Sequence, residues 1–169
     1  MSARCHLPQE QRNCDGITYK LIPMNDSEMQ LVSGIAAFEA KEFRRAWQLL
    51  EPLSDEGNAD AQYRCAIMLQ NGLGVIAQPK KAVGLLQLAV EQGFGLAQHS
   101  LGICYLYGEG VTQNTSQAVA LLERAGESGL AGAWTTLGMI FTEGQGIEKD
   151  QVRARGYYAR AGFDPDEFS

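Results

Sequence analysis

A pattern that recurs every 36 residues constrains this chain more than any other feature. Gly72, Gly108 and Gly144 stand 36 apart, and so do Gly74, Gly110 and Gly146. The same step links Ala82, Ala118 and Ala154, then Leu86, Leu122 and Tyr158, then Ala89, Ala125 and Ala161. A fixed period in this range marks one supersecondary unit that is copied and stacked, because a single unit cannot bury its apolar face alone. Stacked units build extended surfaces, so the pattern points to binding rather than to a reaction centre.

Each copy reads as two helices. Apolar residues follow helical spacing from Ser27 onward: Leu31, Ile35 and Phe38 form one stripe, and Phe43, Ala46, Trp47, Leu50 and Leu53 form the next. Ser27 and Gln30 have the spacing of a capping box, which predicts the helix start there. Three further units follow one plan. First helices are predicted near 59–71, 95–107 and 130–143, and second helices near 79–92, 115–128 and 151–162. Asn114 and Asp150 stand where N-caps belong, and Pro79 takes the first helical position, where its missing amide hydrogen costs nothing. Gly57, Gly93 and Gly129 are predicted helix C-terminal caps. The paired glycines between the helices predict a chain reversal with positive φ, with Val75, Val111 or Ile147 plugging the loop onto the core. They are not dinucleotide loops, since no strand precedes them and the third glycine of that motif is replaced by Ala77, Gln113 and Lys149.

The first helices carry Ala61-Gln62 and Ala97-Gln98 near their starts and Leu101-Gly102 and Leu137-Gly138 in their middles. Tyr105 and Phe141 follow, and then the Gly-x-Gly-Val/Ile turn. With Ala118, Leu121-Leu122 and Ala125, and with Tyr157-Tyr158 and Ala161, on second helices, this pattern resembles the Sel-one-like repeat, a relative of the tetratricopeptide repeat. Three units match, from Asn58 to Gly162. Cys65-Ala66 departs from the Leu-Gly pair, and Gln78 stands in the place of Asn114 and Asp150. The unit before them resembles a plain tetratricopeptide repeat, with Gly34, Ala46 and Leu50 in place. The resemblance implies an all-α fold, an α/α solenoid of antiparallel helix pairs. Its expected divisions are an irregular arm at 1–25 and one solenoid domain at 26–169, with units at 27–57, 58–93, 94–129 and 130–163. The arm holds Pro8, Pro23 and Asp15-Gly16, and Met24 is a second candidate start.

The family implies a non-enzymatic adaptor or scaffold, and many of its members are bacterial, a good number of them at work in the envelope or in secretion. In such solenoids the first helices line a concave groove that holds a protein or peptide. Counting from the small central residues Gly34, Ala66, Gly102 and Gly138 gives the groove positions. These are Leu31, Ile35, Phe38 and Glu39 in the first unit, and Tyr63, Ile67, Gln70 and Asn71 in the second. The third unit supplies His99, Ile103, Leu106 and Tyr107, and the fourth Thr135, Met139, Thr142 and Glu143. The set is rich in apolar residues for a solvent-facing surface, which is the mark of a protein partner. The alternative is that the N-terminal arm fills the groove.

Other chemistry finds little support. Net charge is −6, which disfavours nucleic acid and anionic membrane as partners. No stretch approaches the ~18 apolar residues of a membrane span. Cys5, His6 and Cys14 supply at most three ligands at loose spacing, whereas structural zinc takes four, so no metal or cofactor is expected. Cys65 and Cys104 read as small buried residues. Some family members pair cysteines within each repeat and have been linked to β-lactam binding; that spacing is absent here, which weakens the alternative of a small-ligand-binding or hydrolytic variant. Arg45, Lys81 and Arg153 recur on second helices as a basic ladder, read as a solvated convex face with a second protein contact as the alternative. Asp55, Glu91 and Glu127 recur near the ends of those helices, where they oppose the dipole unless they accept amides from the start of the next helix. Phe163 and Phe168 follow the last helix without an evident capping helix, so self-association as a homodimer through that end is a further expectation. A cytoplasmic location is the default, and a periplasmic one applies if an export signal has been removed.

Overall fold

The computed structural model describes residues 25–164. These form eight α-helices and no strand: α1 Asp26–Glu39, α2 Phe43–Asp55, α3 Ala59–Asn71, α4 Pro79–Glu91, α5 Gly95–Tyr107, α6 Thr115–Glu127, α7 Ala131–Glu143 and α8 Gln151–Arg160. Residues 1–24, with the Cys5–His6–Cys14 trio, and residues 165–169, with Phe168, lie outside the described residues. Packing runs between helices consecutive in the chain, odd onto even within a unit and even onto odd between units. That is the arrangement of a solenoid.

Helix starts follow side-chain chemistry. The Asn58, Asn114 and Asp150 side chains each accept the amide of the residue three further on. The capping box of α1 sits two residues earlier than the Ser27–Gln30 spacing suggests. Asn25 Oδ1 accepts the Glu28 amide at 2.7 Å, and Glu28 accepts the Asn25 amide at 3.0 Å. A carboxylate accepts a stronger hydrogen bond than an amide and also favours the positive helix end, so Glu28 wins over Gln30.

Two kinds of turn alternate. Between units, Gly57, Gly93 and Gly129 adopt φ of +95°, +79° and +97° just past each helix end. Within the three later units, Gly72, Gly108 and Gly144 cap the first helix in the left-handed region. The amides of Gln78, Asn114 and Asp150 then donate back to Leu69, Tyr105 and Phe141 carbonyls at 2.8, 2.8 and 2.9 Å, closing each loop. Val75, Val111 and Ile147 lie partly buried against the core, as plugs. The first unit makes its turn without glycine, with Lys41 at φ +60°.

The core is a row of three clusters. Leu50, Leu86 and Leu122 are fully buried, one in each of the first three units, and Tyr158 holds the same register in the fourth. Trp47, Val75 and Leu85 join the first cluster to the second, and Tyr105 joins the second to the third. Burying one such leucine contributes about 1.5–3 kcal/mol. The register position filled by Trp47, Val83 and Val119 holds exposed Arg155 in α8. The last helix thus presents a guanidinium where its predecessors present the apolar side that the next unit covers.

Candidate functional site

The small residues in the middle of the odd helices fix how those helices are rotated. A β-carbon on Gly34 would meet Leu50 at 2.6 Å, one on Gly102 would meet Leu122 at 3.0 Å, and one on Gly138 would meet Tyr158 at 2.6 Å. These positions therefore point at the second helix of their own unit. With ~100° between successive residues, the position after each lies on the flank and the positions two before and five after lie still further from the core.

Exposure follows that geometry. Ile35, Ile67 and Ile103 are half-buried and Met139 is 46% exposed, so one aliphatic residue per unit stands at the same register on four successive odd helices. Leu31, Tyr63, His99 and Thr135, three residues before the small position, are half-buried beside them. Glu39, Asn71, Tyr107 and Glu143 are exposed at the outer edge. Phe38, Gln70 and Thr142 are half-buried, but Leu106 is 2% exposed and belongs to the core cluster of α5 to α8. The position four after the small residue turns only about 40° from the core direction. Leu106 is long enough to reach the core from there, and its expected place on an open surface is corrected to the interior.

Polar side chains tie the odd helices to one another. Arg64 reaches from α3 to Glu39 at the end of α1 at 2.8 Å, and it also pairs with Asp60 at 2.7 Å and lies 5.1 Å over the Phe38 ring. Its side chain is only 13% exposed. Gln70 donates to Glu109 beyond α5 at 2.6 Å, and His99 lies 3.5 Å from the Thr136 hydroxyl of α7. Glu39, Gln70 and His99 thus link neighbouring units as well as lining the wall. Arg64 and Thr136, two residues before the small position, were not among the sequence-derived positions. Their common register could have flagged them, but the residue types there, Val32, Arg64, Ser100 and Thr136, share no character.

The titratable groups on this side are poor catalysts. Burial holds the His99 imidazole below its ordinary value, so it is neutral near pH 7. Burial pushes the Cys65 thiol up to about 12 and the Cys104 thiol up to about 11. Neither is a thiolate at neutral pH, and thiols in that state are weak nucleophiles and weak metal ligands. Among the described residues no group of three His, Cys, Asp or Glu side chains is placed to hold a metal ion, and no helix is long and apolar enough to cross a membrane. A hollow of about 260 Å³ between Leu101, Tyr105, Gln117, Leu121 and Arg124 carries no acid pair or nucleophile.

Comparison with known proteins agrees with this architecture. The family described as Sel1 repeat matches residues 59–94, 95–130 and 137–162. No curated protein matches the chain at a significant level. Among solved structures, a Sel1 repeat protein from Oxalobacter formigenes is 31% identical with TM-score 0.71, over 83% of this chain and 54% of that one. The protein c5321, a protective antigen of uropathogenic Escherichia coli with an SLR fold, is 28% identical with TM-score 0.73, over 81% of this chain and 30% of that one. A Klebsiella pneumoniae sel1 repeat protein, at 22% identity and TM-score 0.65, shares the fold. The chain thus spans about half the length of the first relative and under a third of the second.

Proposed function

The chain belongs to the Sel1 repeat family, whose proteins generally mediate protein–protein interactions, and from that premise we propose that it is a non-catalytic adaptor that holds a protein or peptide on the wall formed by α1, α3, α5 and α7. The observation that carries this reading is the aliphatic register Ile35, Ile67, Ile103 and Met139, on whose outer side no helix packs among the described residues. An uninterrupted apolar line along a solenoid wall costs solvation unless something covers it. A groove lined in this way takes an amphipathic helix or an extended segment. The wall residues around that line are the positions derived from the repeat register, with Leu106 removed and Arg64 and Thr136 added.

A hydrolytic or small-ligand reading has no such support among the described residues, where the buried thiols of Cys65 and Cys104 and the neutral His99 imidazole make no activated nucleophile–base pair. Arg155 argues against a second copy stacking on α8 through the apolar seam used inside the chain.

The test is a pull-down from native extract with the full chain and with the Ile67→Asp, Ile103→Asp double variant. Both side chains are partly exposed, so the variant keeps its far-ultraviolet helical signal. The expected result is one stoichiometric protein captured by the parent chain and lost from the variant. Undiminished capture by a well-folded double variant would overturn the assignment of the wall.

A further inference from the structure

Charge is not spread evenly over the two sets of helices. The odd helices α1, α3, α5 and α7 carry five carboxylates, Asp26, Glu28, Glu39, Asp60 and Glu143, against the single cation Arg64. That one cation is already held by two of those carboxylates, Glu39 and Asp60. Glu109 adds a further carboxylate beside the wall, bonded to Gln70. The even helices show the reverse, with eight cations against five carboxylates, and α8 alone carries Arg153, Arg155 and Arg160 with no acid. The chain as a whole is at −6, but the odd-helix side is acidic and the even-helix side is basic.

We propose that the natural occupant of the odd-helix wall is a cationic amphipathic peptide segment, which sets apolar side chains on the line Ile35, Ile67, Ile103 and Met139 and basic side chains against Glu39, Glu109 and Glu143. This inference rests on the adaptor reading above and names the chemistry of the partner. The apolar line supplies the contact area, and the acidic edge supplies orientation and attraction. Opposite charges facing across an interface raise the association rate and exclude partners of the wrong sign, more than they add to affinity. An acidic segment would meet like charge at both ends of the wall, at Glu39 and Glu143. His99 in the middle brings no compensating positive charge, since its burial keeps it neutral.

The chain contains one competitor of the same chemistry. Residues 17–22 read Ile-Thr-Tyr-Lys-Leu-Ile, an alternating apolar run with one cation. The experiment must distinguish this internal occupant from a partner in trans.

The probes are two synthetic 18-residue peptides with the same leucine pattern, one filled in with lysine and the other with glutamate. Binding to the full chain is followed by calorimetry at low and at moderate salt. The expected result is one-to-one binding of the leucine–lysine peptide, at least tenfold tighter than the leucine–glutamate peptide and weakened by salt. Glu39→Gln with Glu143→Gln, exposed changes of which the first leaves Asp60 to hold Arg64, is expected to weaken it by about fivefold while the helical signal and melting temperature stay near those of the parent. Ile67→Asp with Ile103→Asp is expected to abolish it. Equal binding of both peptides that is lost in the aspartate variant would overturn the charge preference and leave the adaptor reading standing. Binding of the lysine peptide that ignores the aspartate variant would sink both. No saturable binding of either peptide, or binding that appears only after Lys20→Glu with Leu21→Asp, would also overturn the proposal. The last result would identify residues 17–22 as the occupant.

Discussion

The turns within the three later units and the turns between units use the same residue in the same region of φ, yet they do different work. Gly57, Gly93 and Gly129, between units, have open space where a β-carbon would stand. Each serves only to let the chain turn left-handed. Gly74 and Gly110, within units, are pressed against the second helix of the preceding unit. A β-carbon at Gly74 would meet the backbone of Phe43 and Arg44 at 2.9 Å, and one at Gly110 would meet the Pro79 carbonyl oxygen at 2.6 Å. Gly146 faces the first residue of α6 in the same register, but there a β-carbon would meet the Thr115 side chain rather than backbone. These contacts fall 31 residues back in each case. The second glycine of each pair is therefore a junction between units as well as a bend, and the 36-residue period records packing between copies as well as the backbone within them.

The sharpest way to break this distinction is Gly110→Ala. The new methyl group must displace backbone and also hold a strained φ of +73°, so we expect a loss of about 3 kcal/mol or more. Chemical denaturation would read it, and a loss under 1 kcal/mol would show that the close approach is soft. Gly93→Ala keeps the strain without the clash. Its expected cost is about 1 kcal/mol, seen as a melting temperature lower by roughly 2–4 °C. Gly84→Ala has neither, because it sits in the middle of α4 with nothing within 4 Å of an added β-carbon. It is expected to stabilise by about 0.5–1 kcal/mol through helix propensity; destabilisation would mean that a partner packs there.

The smallest effect belongs to the polar junction between α5 and α7. His99 is held below its ordinary value by burial, so the folded chain takes up this proton less readily than the unfolded chain. Stability is therefore intact above about pH 6.5, the ordinary histidine value, and is lost progressively as the pH falls below it. Between about pH 7.5 and about pH 5.5 the melting temperature of the parent should fall further than that of His99→Gln. Parallel curves would remove His99 from the account.

Much of this was legible in the residue pattern, because local rules and the repeat agree. The odd helices α3 and α5 begin and end where the spacing predicts, and α7 begins one residue later, at Ala131 rather than Leu130. The N-caps Asn114 and Asp150 were readable because capping is a contact three residues long. What was hidden depended on contacts at long range. The role of Gly74 as a junction depends on Phe43, and that of Arg64 on Glu39, 25 residues away. Leu106 fits the register of a surface position, but its direction is set by a rotation of α5 that only packing against α6 defines. At the start of α1, two capping boxes compete within three residues, and the charge of Glu28 decides between them.

The helices that pack closely are consecutive in the chain, and this has a consequence for how the molecule comes apart. Among the described residues, α1 and α8 each lean on one flanking helix and every other helix leans on two. Losing the span 58–93 would strand α1 and α2 from everything downstream, whereas losing α8 takes away one face of α7 and the Tyr157–Glu123 hydrogen bond to α6. Amide exchange would then be slowest in the middle of the array and progressively faster toward α1 and α8. Proteases would shorten the molecule from its extremities before they cut it in two.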